Sequence, residues 1–125
     1  MEESRRVDFD ENVGDLPKHV EETLRLIGKK WAIKVLHELT HSPLTFGEIK
    51  QRVPGISASV LSGLLSDFMT HGIVEKKTIN PPHHTYFIGE FGMVLCDIIE
   101  QIDNFGKRMM ERYPAVQSTE DLIFE

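Results

Sequence analysis

Residues 45–72 carry two successive helix-start signals separated by a tight turn, and this pattern constrains the fold more than any other feature of the chain. Thr45 and Glu48 have the spacing of a capping box, in which each side chain bonds a free backbone amide at the start of a helix. A turn follows at Pro54-Gly55, and Ser57 can cap a second, longer helix. The pattern therefore predicts a helix, a tight turn and a second helix.

Two further helices are predicted before this motif. Apolar residues recur at the spacing of one helix face over residues 20–27, and Gly28 can end that helix. The same period continues over residues 31–39 and stops at Ser42-Pro43. Two helices are therefore expected to meet near Gly28.

A hairpin and a long helix are predicted after the motif. The strands of a two-stranded hairpin are expected at 73–79 and 85–88, with a turn at Asn80-Pro81-Pro82. The last helix is predicted from Phe91 to Pro114, and its apolar residues recur at intervals of four and three. This spacing is typical of helices that pack along a shared seam, so part of that face is expected to contact a partner.

Charge is distributed unevenly along the chain. The formal net charge is −6, but residues 1–19 hold six acids and three bases, and residues 114–125 hold three acids and no base. The acidic excess therefore lies at the two ends, and residues 20–113 are neutral. Within that part, residues 25–77 carry eight bases against four acids. A local basic face suited to a polyanion is therefore allowed.

The length and composition indicate one folded domain between two acidic ends. We expect a flexible acidic arm over 1–17, a folded domain over 18–113 and an acidic tail over 114–125. A single cysteine cannot form an intramolecular disulfide, and no stretch has the pattern of a signal peptide or a membrane span. A cytoplasmic protein that does not contact a membrane is therefore expected.

No motif indicates catalysis, a cofactor or a metal. The sequence has no Gly-rich phosphate loop and no nucleophile elbow. His37 and His41 stand four residues apart on a predicted helix, but two ligands do not make a metal site. Cys96 is expected to pack as a small buried apolar residue. Trp31 is expected to anchor the core, with the alternative that it lines a ligand cavity. A cavity between the first and last helices is a separate possibility that the sequence leaves open.

Three stretches resemble the HxlR group of winged helix transcription regulators, which is close to the MarR regulators. They read LIGKKWAIKVLHEL, LTFGEIKQRVPGISASVLSGLLSDFMTHGIVEKK and NPPHHTYFIGEFGMVL. The most specific parts are Gly-x-Lys-Trp at 28–31, Pro-Gly-Ile-Ser at 54–57 and a proline followed by an aromatic-ended strand at 82–86. The resemblance implies a mainly α fold with a β-hairpin wing, a winged helix-turn-helix with long N- and C-terminal dimerisation helices. It also implies a homodimer that binds a palindromic or repeated operator.

The chain departs from the family pattern in two places. Family members commonly carry a cysteine just before the first helix, whereas Lys18 stands near that position here, so the familiar thiol switch is absent. The second helix of the motif usually carries Arg or Lys on its outward face. The residues predicted on that face here are Ser59, Ser62, Gly63, Leu64, Ser66 and Thr70. No bidentate contact from arginine to guanine can come from this helix.

These observations predict a homodimeric, sequence-specific DNA-binding transcription regulator. The helix at 57–71 is expected in the major groove of double-stranded DNA, with the hairpin at 73–88 as the wing. Contacts with bases and the nearby backbone are expected from Ser57, Ala58, Ser59, Ser62, Gly63 and Ser66. Contacts with phosphates are expected from Lys50, Arg52, Lys76, Lys77, His83 and His84, and are considered for Lys29 and Lys30.

The dimer surface is expected on the first and last helices, and two alternatives stay open. The residues expected in the dimer are Leu24, Phe91, Leu95, Ile98, Ile102, Phe105 and Met109. One alternative function is a winged helix protein-interaction module with weak or no DNA binding, because the motif helix lacks basic residues and the chain is acidic. An unidentified small-molecule effector is a further partner that the sequence leaves open.

Overall fold

Residues 15–114, which the computed structural model describes, form five helices and three short strands. In chain order these elements are α1 (Lys18–Gly28), α2 (Ala32–His41), β1 (Leu44–Thr45), α3 (Phe46–Arg52), α4 (Ala58–Thr70), β2 (Val74–Thr78), β3 (His84–Ile88) and α5 (Glu90–Arg112). This order confirms the predicted winged helix-turn-helix. Residues 1–14 of the predicted arm and 115–125 of the predicted tail lie outside the described residues.

The helix-turn-helix is formed by α3 and α4, and both begin at the predicted caps. The backbone N–H of Glu48 donates to Thr45 Oγ1 at 3.2 Å, and the backbone N–H of Thr45 donates to Glu48 Oε1 at 2.8 Å. At the start of α4, the Val60 N–H donates to Ser57 Oγ at 3.1 Å. Gly55, in the turn between the helices, has a φ of 98°, which glycine adopts without a steric penalty.

The junction between α1 and α2 lies at residues 29–31. Trp31 occupies the N-cap position of α2 and has a φ of 78°, a left-handed conformation that is uncommon for a residue with a large side chain. Its indole packs on the helix-turn-helix turn, since a Cβ added at Gly55 would lie 3.1 Å from Trp31 Cη2. Trp31 is half-buried and packs at the edge of the core, so the prediction of a core anchor holds only in part.

The predicted hairpin is confirmed as β2 and β3, and it belongs to a three-stranded antiparallel sheet whose third strand the sequence analysis did not predict. The strand order is β1-β3-β2, and Leu44 and Thr45 of β1 pair with Tyr86 and Thr85 of β3. A two-residue strand is too short to show the alternation by which strands are predicted from sequence. Because Leu44 is buried, this extra strand fixes the wing to the helical core.

The core lies between α2, α3, α4 and the sheet. Its largest fully buried side chains are Phe68, Leu36, Leu44, Ile49, Leu61 and Leu65. Burying one such side chain contributes about 1.5–3 kcal/mol. Leu64, predicted on the outward face of α4, is 4% exposed and belongs to the core. The buried stripe of α4 is wider than the sequence pattern indicated, because Leu61, Leu64, Leu65 and Phe68 together follow the i, i+3, i+4, i+7 spacing.

The last helix packs on the core only through its first three turns. Gly92 and Leu95 are its buried residues, and Ile99 packs partly against the core. Leu95, predicted at the dimer surface, therefore lies in the core of its own chain, because it faces the body of the protein from the first turns of the helix. No helix within residues 15–114 is both long enough and apolar enough to cross a bilayer.

Candidate nucleic-acid interface

The outward face of α4 gathers small side chains on one exposed surface. The exposed residues in this part of the chain are Ser57 at the cap and, within α4, Ala58, Ser59, Val60, Ser62, Gly63, Ser66 and Thr70. Residues on a helix rotate by about 100° per position, so Ser59, Ser62, Gly63, Ser66 and Thr70 share the side opposite to the buried leucines. The structure therefore brings Ser59, Ser62, Gly63 and Ser66 of the predicted set together on one face, while Ser57 and Ala58 are exposed at the start of the helix.

This face offers hydroxyl groups and an open backbone. A Cβ added at Gly63 would meet no atom within 4 Å outside its own helix. The Thr70 hydroxyl is engaged within the helix, where it donates to the Ser66 carbonyl oxygen at 2.9 Å. The face lacks long side chains, so a duplex could approach the α4 backbone closely.

Two lysines lie beside the α4 face. Lys29 and Lys30 line a shallow depression with Val60 and Gly63. The Lys30 ammonium group lies 5.1 Å from the centre of a Trp31 ring, within the range of a cation–π contact. The shared depression places Lys30, in the junction before α2, next to the exposed surface of α4.

Lys29 takes part in an ion cluster centred on Asp67 of α4. Its Nζ lies 2.7 Å from Asp67 Oδ2, Arg25 Nη1 of α1 lies 3.6 Å from the same oxygen, and His71 Nδ1 lies 3.3 Å from Oδ1. The hydrogen bond from Lys29 lowers the pKa of Asp67 against the opposing effect of burial. Arg25 Nε donates a hydrogen bond to Glu22 Oε1 at 3.1 Å, and this bond raises the pKa of Arg25. The cluster connects α1 to the helix-turn-helix.

The two cations predicted on α3 have different surroundings. Lys50 is exposed. Arg52 Nη1 lies 4.0 Å from Glu38 Oε1 of α2, and the side chain borders the space between α2 and α5. Arg52 is therefore held on the side of the domain where α5 lies.

The two lysines of the wing point to opposite faces of the sheet. Lys76 of β2 pairs with Tyr86 of β3, and Lys77 pairs with Thr85. Cross-strand partners share a face, and Tyr86 is buried. Lys76 therefore extends from the core side of the sheet and Lys77 from the outer side, although both side chains are exposed.

The histidines next to the wing turn also differ. His84 Nδ1 and Thr78 Oγ1 share a hydrogen bond of 2.9 Å across the hairpin. His83 is exposed in the turn, where its backbone N–H donates to the Asn80 carbonyl oxygen at 3.2 Å. His83 is thus available to a ligand, whereas His84 braces the wing.

An apolar stripe covers one exposed side of α5. It consists of Phe91, Val94, Ile98, Ile102 and Phe105, each 46–67% exposed. Leu24 of α1 is 52% exposed, and Met109 near the end of α5 is half-buried. Apart from Leu95, the residues predicted for the dimer therefore remain uncovered or partly covered in the single chain.

A cavity of about 700 Å³ lies between α2 and α5. This cavity involves the last helix but not the first, so it is a different one from the cavity that the sequence left open, and Trp31 does not line it. Cys96 does line it and is half-buried, which corrects the expectation of a buried residue. Partial burial and the nearby Asp97 carboxylate both raise the pKa of the Cys96 thiol.

The histidine pair on α2 stacks at the helix surface. The rings of His37 and His41 lie 4.8 Å apart in an edge-to-face arrangement. Within residues 15–114, no group of three or more His, Cys, Asp or Glu side chains is arranged to hold a metal ion.

Sequence reasoning missed two features, the Asp67 cluster and the cavity between α2 and α5. Both combine residues that are distant in the chain, such as Arg25 with Asp67 and Ile33 with Glu100. The one available signal for the cluster was that Asp67 is the single charged residue of α4. No local pattern indicated the cavity.

Comparison with known proteins gives consistent relatives. A model of the HxlR-like helix-turn-helix family matches residues 26–114. The HTH-type transcriptional regulator YtcD of Bacillus subtilis is 30% identical over 95 residues, covering 74% of this chain and 75% of the relative. The crystal structure of YtcD has a TM-score of 0.68 and covers 74% of this chain and 96% of its own.

A solved structure of another regulator carries a ligand. Quinone-bound YodB from Bacillus subtilis has a TM-score of 0.65 at 25% identity, covering 73% of this chain and 98% of its own. These relatives have the fold and the helix-turn-helix described above. The chain therefore belongs to the HxlR-like helix-turn-helix family of transcriptional regulators.

Proposed function

We propose that this protein is a sequence-specific DNA-binding transcription regulator that acts in the cytoplasm as a homodimer. The observation that carries this proposal is the exposed face of α4, where small polar residues stand opposite a fully packed core stripe. If α4 served only to stabilise the domain, better helix formers than serine and glycine would be expected on its exposed face. In the proposal, α4 enters the major groove and the hairpin of β2 and β3 contacts the backbone.

Base recognition comes from short side chains in this proposal. Ser59, Ser62 and Ser66 present hydroxyls that both donate and accept hydrogen bonds, and Gly63 allows close approach of the helix backbone. Such contacts discriminate less between bases than a bidentate arginine does. Sequence preference is therefore expected to depend also on the shape and deformability of the operator.

Affinity comes mainly from phosphate contacts. The candidates are Lys30 beside α4, Lys50 on α3, Lys76 and Lys77 on β2 and His83 in the wing turn. Arg52 and His84 are secondary candidates, because Glu38 and Thr78 respectively already engage their side chains. Each phosphate neutralised releases counterions, so binding should weaken steeply with salt.

The homodimer is proposed to form through the apolar stripe of α5 together with Leu24 of α1. An exposed apolar stripe of several turns is costly to leave in water and is typical of a protein interface. Two copies related by a twofold axis would present two α4 helices to two half-sites.

One observation favours a second candidate function, a winged helix module that binds a protein instead of DNA. The α4 helix carries no Lys or Arg, and its single charged residue is Asp67. Non-specific attraction to DNA would then be weak. The apolar stripe of α5 would bind a different protein instead of a second copy of this chain.

The experiment that separates these functions is a titration of the protein against short duplexes at two salt concentrations with unlabelled competitor DNA. The duplexes include the DNA upstream of its own gene. We expect saturable, competitor-resistant binding for one sequence. Absence of binding at both salt concentrations would favour the interaction module.

A pair of variants makes the test specific to α4. Ser62→Asp adds one negative charge to the exposed face of α4, and Asn104→Asp adds the same charge to the exposed surface of α5. We expect Ser62→Asp to weaken operator binding at least tenfold and Asn104→Asp to leave it unchanged. Equal effects would contradict the placement of α4 in the groove.

We further propose that a small molecule modulates DNA binding. The support is that the related regulator YodB has been crystallised with a quinone bound. The single cysteine of this chain is Cys96 in α5. An effector of this protein is therefore expected to be held by a pocket rather than by a thiol ahead of α1.

A further inference from the structure

The cavity between α2 and α5 has walls from three parts of the domain. Ile33 and Leu36 of α2 and Met93 and Ile99 of α5 supply apolar surface, and residues 52–54 at the end of α3 form another wall. Its volume of about 700 Å³ lies within the range of small-molecule pockets, about 300–1,000 Å³. The space is therefore large enough for a drug-sized compound.

The cavity lies on the opposite side of α5 from the apolar stripe. Residues advance by about 100° per position around a helix, so Met93 and Glu100 face away from Ile98 and Ile102. A partner that packs on the stripe would therefore leave the cavity accessible. The two surfaces of α5 can be occupied at the same time.

Carboxylates outnumber cations around the cavity. Glu38, Asp97, Glu100 and Asp103 line it, against Lys34, Arg52 and the imidazole of His37. Arg52 pairs with Glu38 at 4.0 Å, and the Lys34 ammonium group lies 5.4 Å from the Trp31 ring centre.

The carboxylates on α5 are only partly balanced. Asp103 pairs with Lys107 at 3.2 Å. Among the residues that the structure describes, neither Asp97 nor Glu100 has a cationic nitrogen within ion-pair distance. The carboxylates of Asp97 and Glu100 therefore make one side of the apolar cavity negative. This side would attract an apolar cation and repel an apolar anion.

We propose that the cavity between α2 and α5 binds a small apolar organic cation, with its apolar body against Ile33, Met93 and Ile99 and its charge near Asp97 and Glu100. The regulatory part of this inference rests on the proposed function. Because the cavity wall includes the end of α3, an occupant contacts both the helix-turn-helix and α5. Occupation then favours one relative placement of the two, and DNA affinity changes with it.

The direct test uses two probes of nearly the same size and shape but opposite charge. Tetraphenylphosphonium is the cation and tetraphenylborate the anion, and each is titrated into the full chain by calorimetry without DNA. We expect saturable binding of the cation and at least tenfold weaker binding of the anion. Equal binding of both, or none of the cation, overturns the proposal.

The single cysteine supplies an independent measurement of position. Cys96 lines the cavity, so tetraphenylphosphonium bound there should slow its alkylation by a maleimide at least fivefold, while tetraphenylborate should not. Unchanged alkylation with saturating cation would place the probe elsewhere and overturn the proposal.

Two double variants test the charge argument. Asp97→Asn with Glu100→Gln removes two charges from the cavity edge, and Glu21→Gln with Glu111→Gln removes two exposed charges that do not line it. We expect about tenfold weaker cation binding for the first pair and no change for the second. Equal loss in both would show non-specific attraction and overturn the proposal.

Failure of this inference and failure of the proposed function give different results. Cation binding measured without DNA supports the pocket even if no operator is found. Operator binding that is specific but unaffected by saturating tetraphenylphosphonium overturns the regulatory part alone.

Discussion

The small residues on the exposed face of α4 have opposite consequences for stability and for recognition. Gly63 lies inside a 13-residue helix, where glycine is less favourable than alanine by about 0.5–1 kcal/mol. Nothing in the fold requires a glycine there, since an added Cβ would meet open space. Its value therefore lies at the surface, where it keeps the α4 backbone accessible.

Gly63→Ala is accordingly expected to stabilise the protein while weakening operator binding. The free energy of unfolding should rise by about 0.5–1 kcal/mol from helix propensity, measured by urea denaturation. Operator affinity should fall several-fold, because the methyl group lies between α4 and the base edges.

Gly106→Ala on α5 is the control for Gly63→Ala. Gly106 also lies within a helix and faces open space, so the same gain in stability is expected without loss of operator affinity. If Gly63→Ala left binding unchanged while stabilising the fold, the α4 face would not approach DNA closely.

The Asp67 carboxylate contacts Arg25 of α1, Lys29 of the junction and His71 at the end of α4. Lys29 holds its pKa below the ordinary value, so its ionised form stabilises the folded state. That contribution is fully present above the unfolded carboxyl pKa of about 3.9, and it is lost as the pH falls through the lower folded-state pKa.

Asp67→Asn is therefore expected to lower the free energy of unfolding by roughly 1 kcal/mol near neutral pH. The difference from the natural protein should shrink as the pH falls below about 4, because protonation then removes the same charge. Denaturation at several pH values measures this. Glu22→Gln is the control, since it leaves the contact between Lys29 and Asp67 intact. If the difference in unfolding free energy between Asp67→Asn and the natural protein stayed constant with pH, the ion cluster would not be its cause.

At the scale of elements, the wing is connected to α5 by a very short linker. A single residue, Gly89, separates β3 from α5, and its N–H donates to the Ile73 carbonyl oxygen at 2.9 Å. Gly92, one turn later, packs directly against that carbonyl, and an added Cβ would collide with it. The first turn of α5 is thus fixed against the start of β2.

Gly92→Ala should therefore destabilise the domain by at least about 1–3 kcal/mol, the usual cost of overpacking. The obstacle is a backbone atom, which cannot move aside as a flexible side chain can. Thermal unfolding followed by circular dichroism would show a lowered Tm. A Tm equal to that of the natural protein would mean that α5 can shift away from β2 without cost.

The elements differ in how far the sequence could predict them. The helix-turn-helix was predictable because Thr45, Glu48 and Ser57 act within a few residues of the backbone groups that they cap. The strand β1 was missed because its two residues gain their conformation from pairing with β3. The register of a distant strand is not encoded in a local pattern.

The candidate site shows the same division. The small outward face of α4 was predictable from helical periodicity, except for Leu64, which the core buries. The Asp67 cluster and the cavity depend on how α1, α2 and α5 cross the domain. Such crossings are decided by side-chain packing between elements, which no single segment reveals.

At the scale of the whole molecule, α5 carries two independent surfaces. Its apolar stripe faces away from the domain, and its other side borders the cavity with α2. Because α5 continues directly from the wing, a change in how two copies pack along the stripe would alter the distance between their α4 helices. In the proposed homodimer, dimer geometry and operator spacing would therefore be coupled through one helix.

Ile98→Asp tests this coupling. Ile98 is 46% exposed in the stripe, so the single domain should keep its fold. The introduced carboxylate would become buried against the partner on dimerisation, and this cost should separate the dimer. Light scattering after gel filtration should show a monomer, and affinity for a full operator should fall about a hundredfold or more, because the second half-site no longer adds to the first.

Two comparisons make that result specific to assembly. Affinity for an isolated half-site should stay within about twofold of the natural protein, since α4 and the wing are unchanged and only the avidity of two linked sites is lost. Asn104→Asp adds the same charge to α5 outside the stripe and should remain a dimer. If Ile98→Asp also stayed dimeric, the stripe would not be the contact between copies, and half-site spacing would have to be set by another surface.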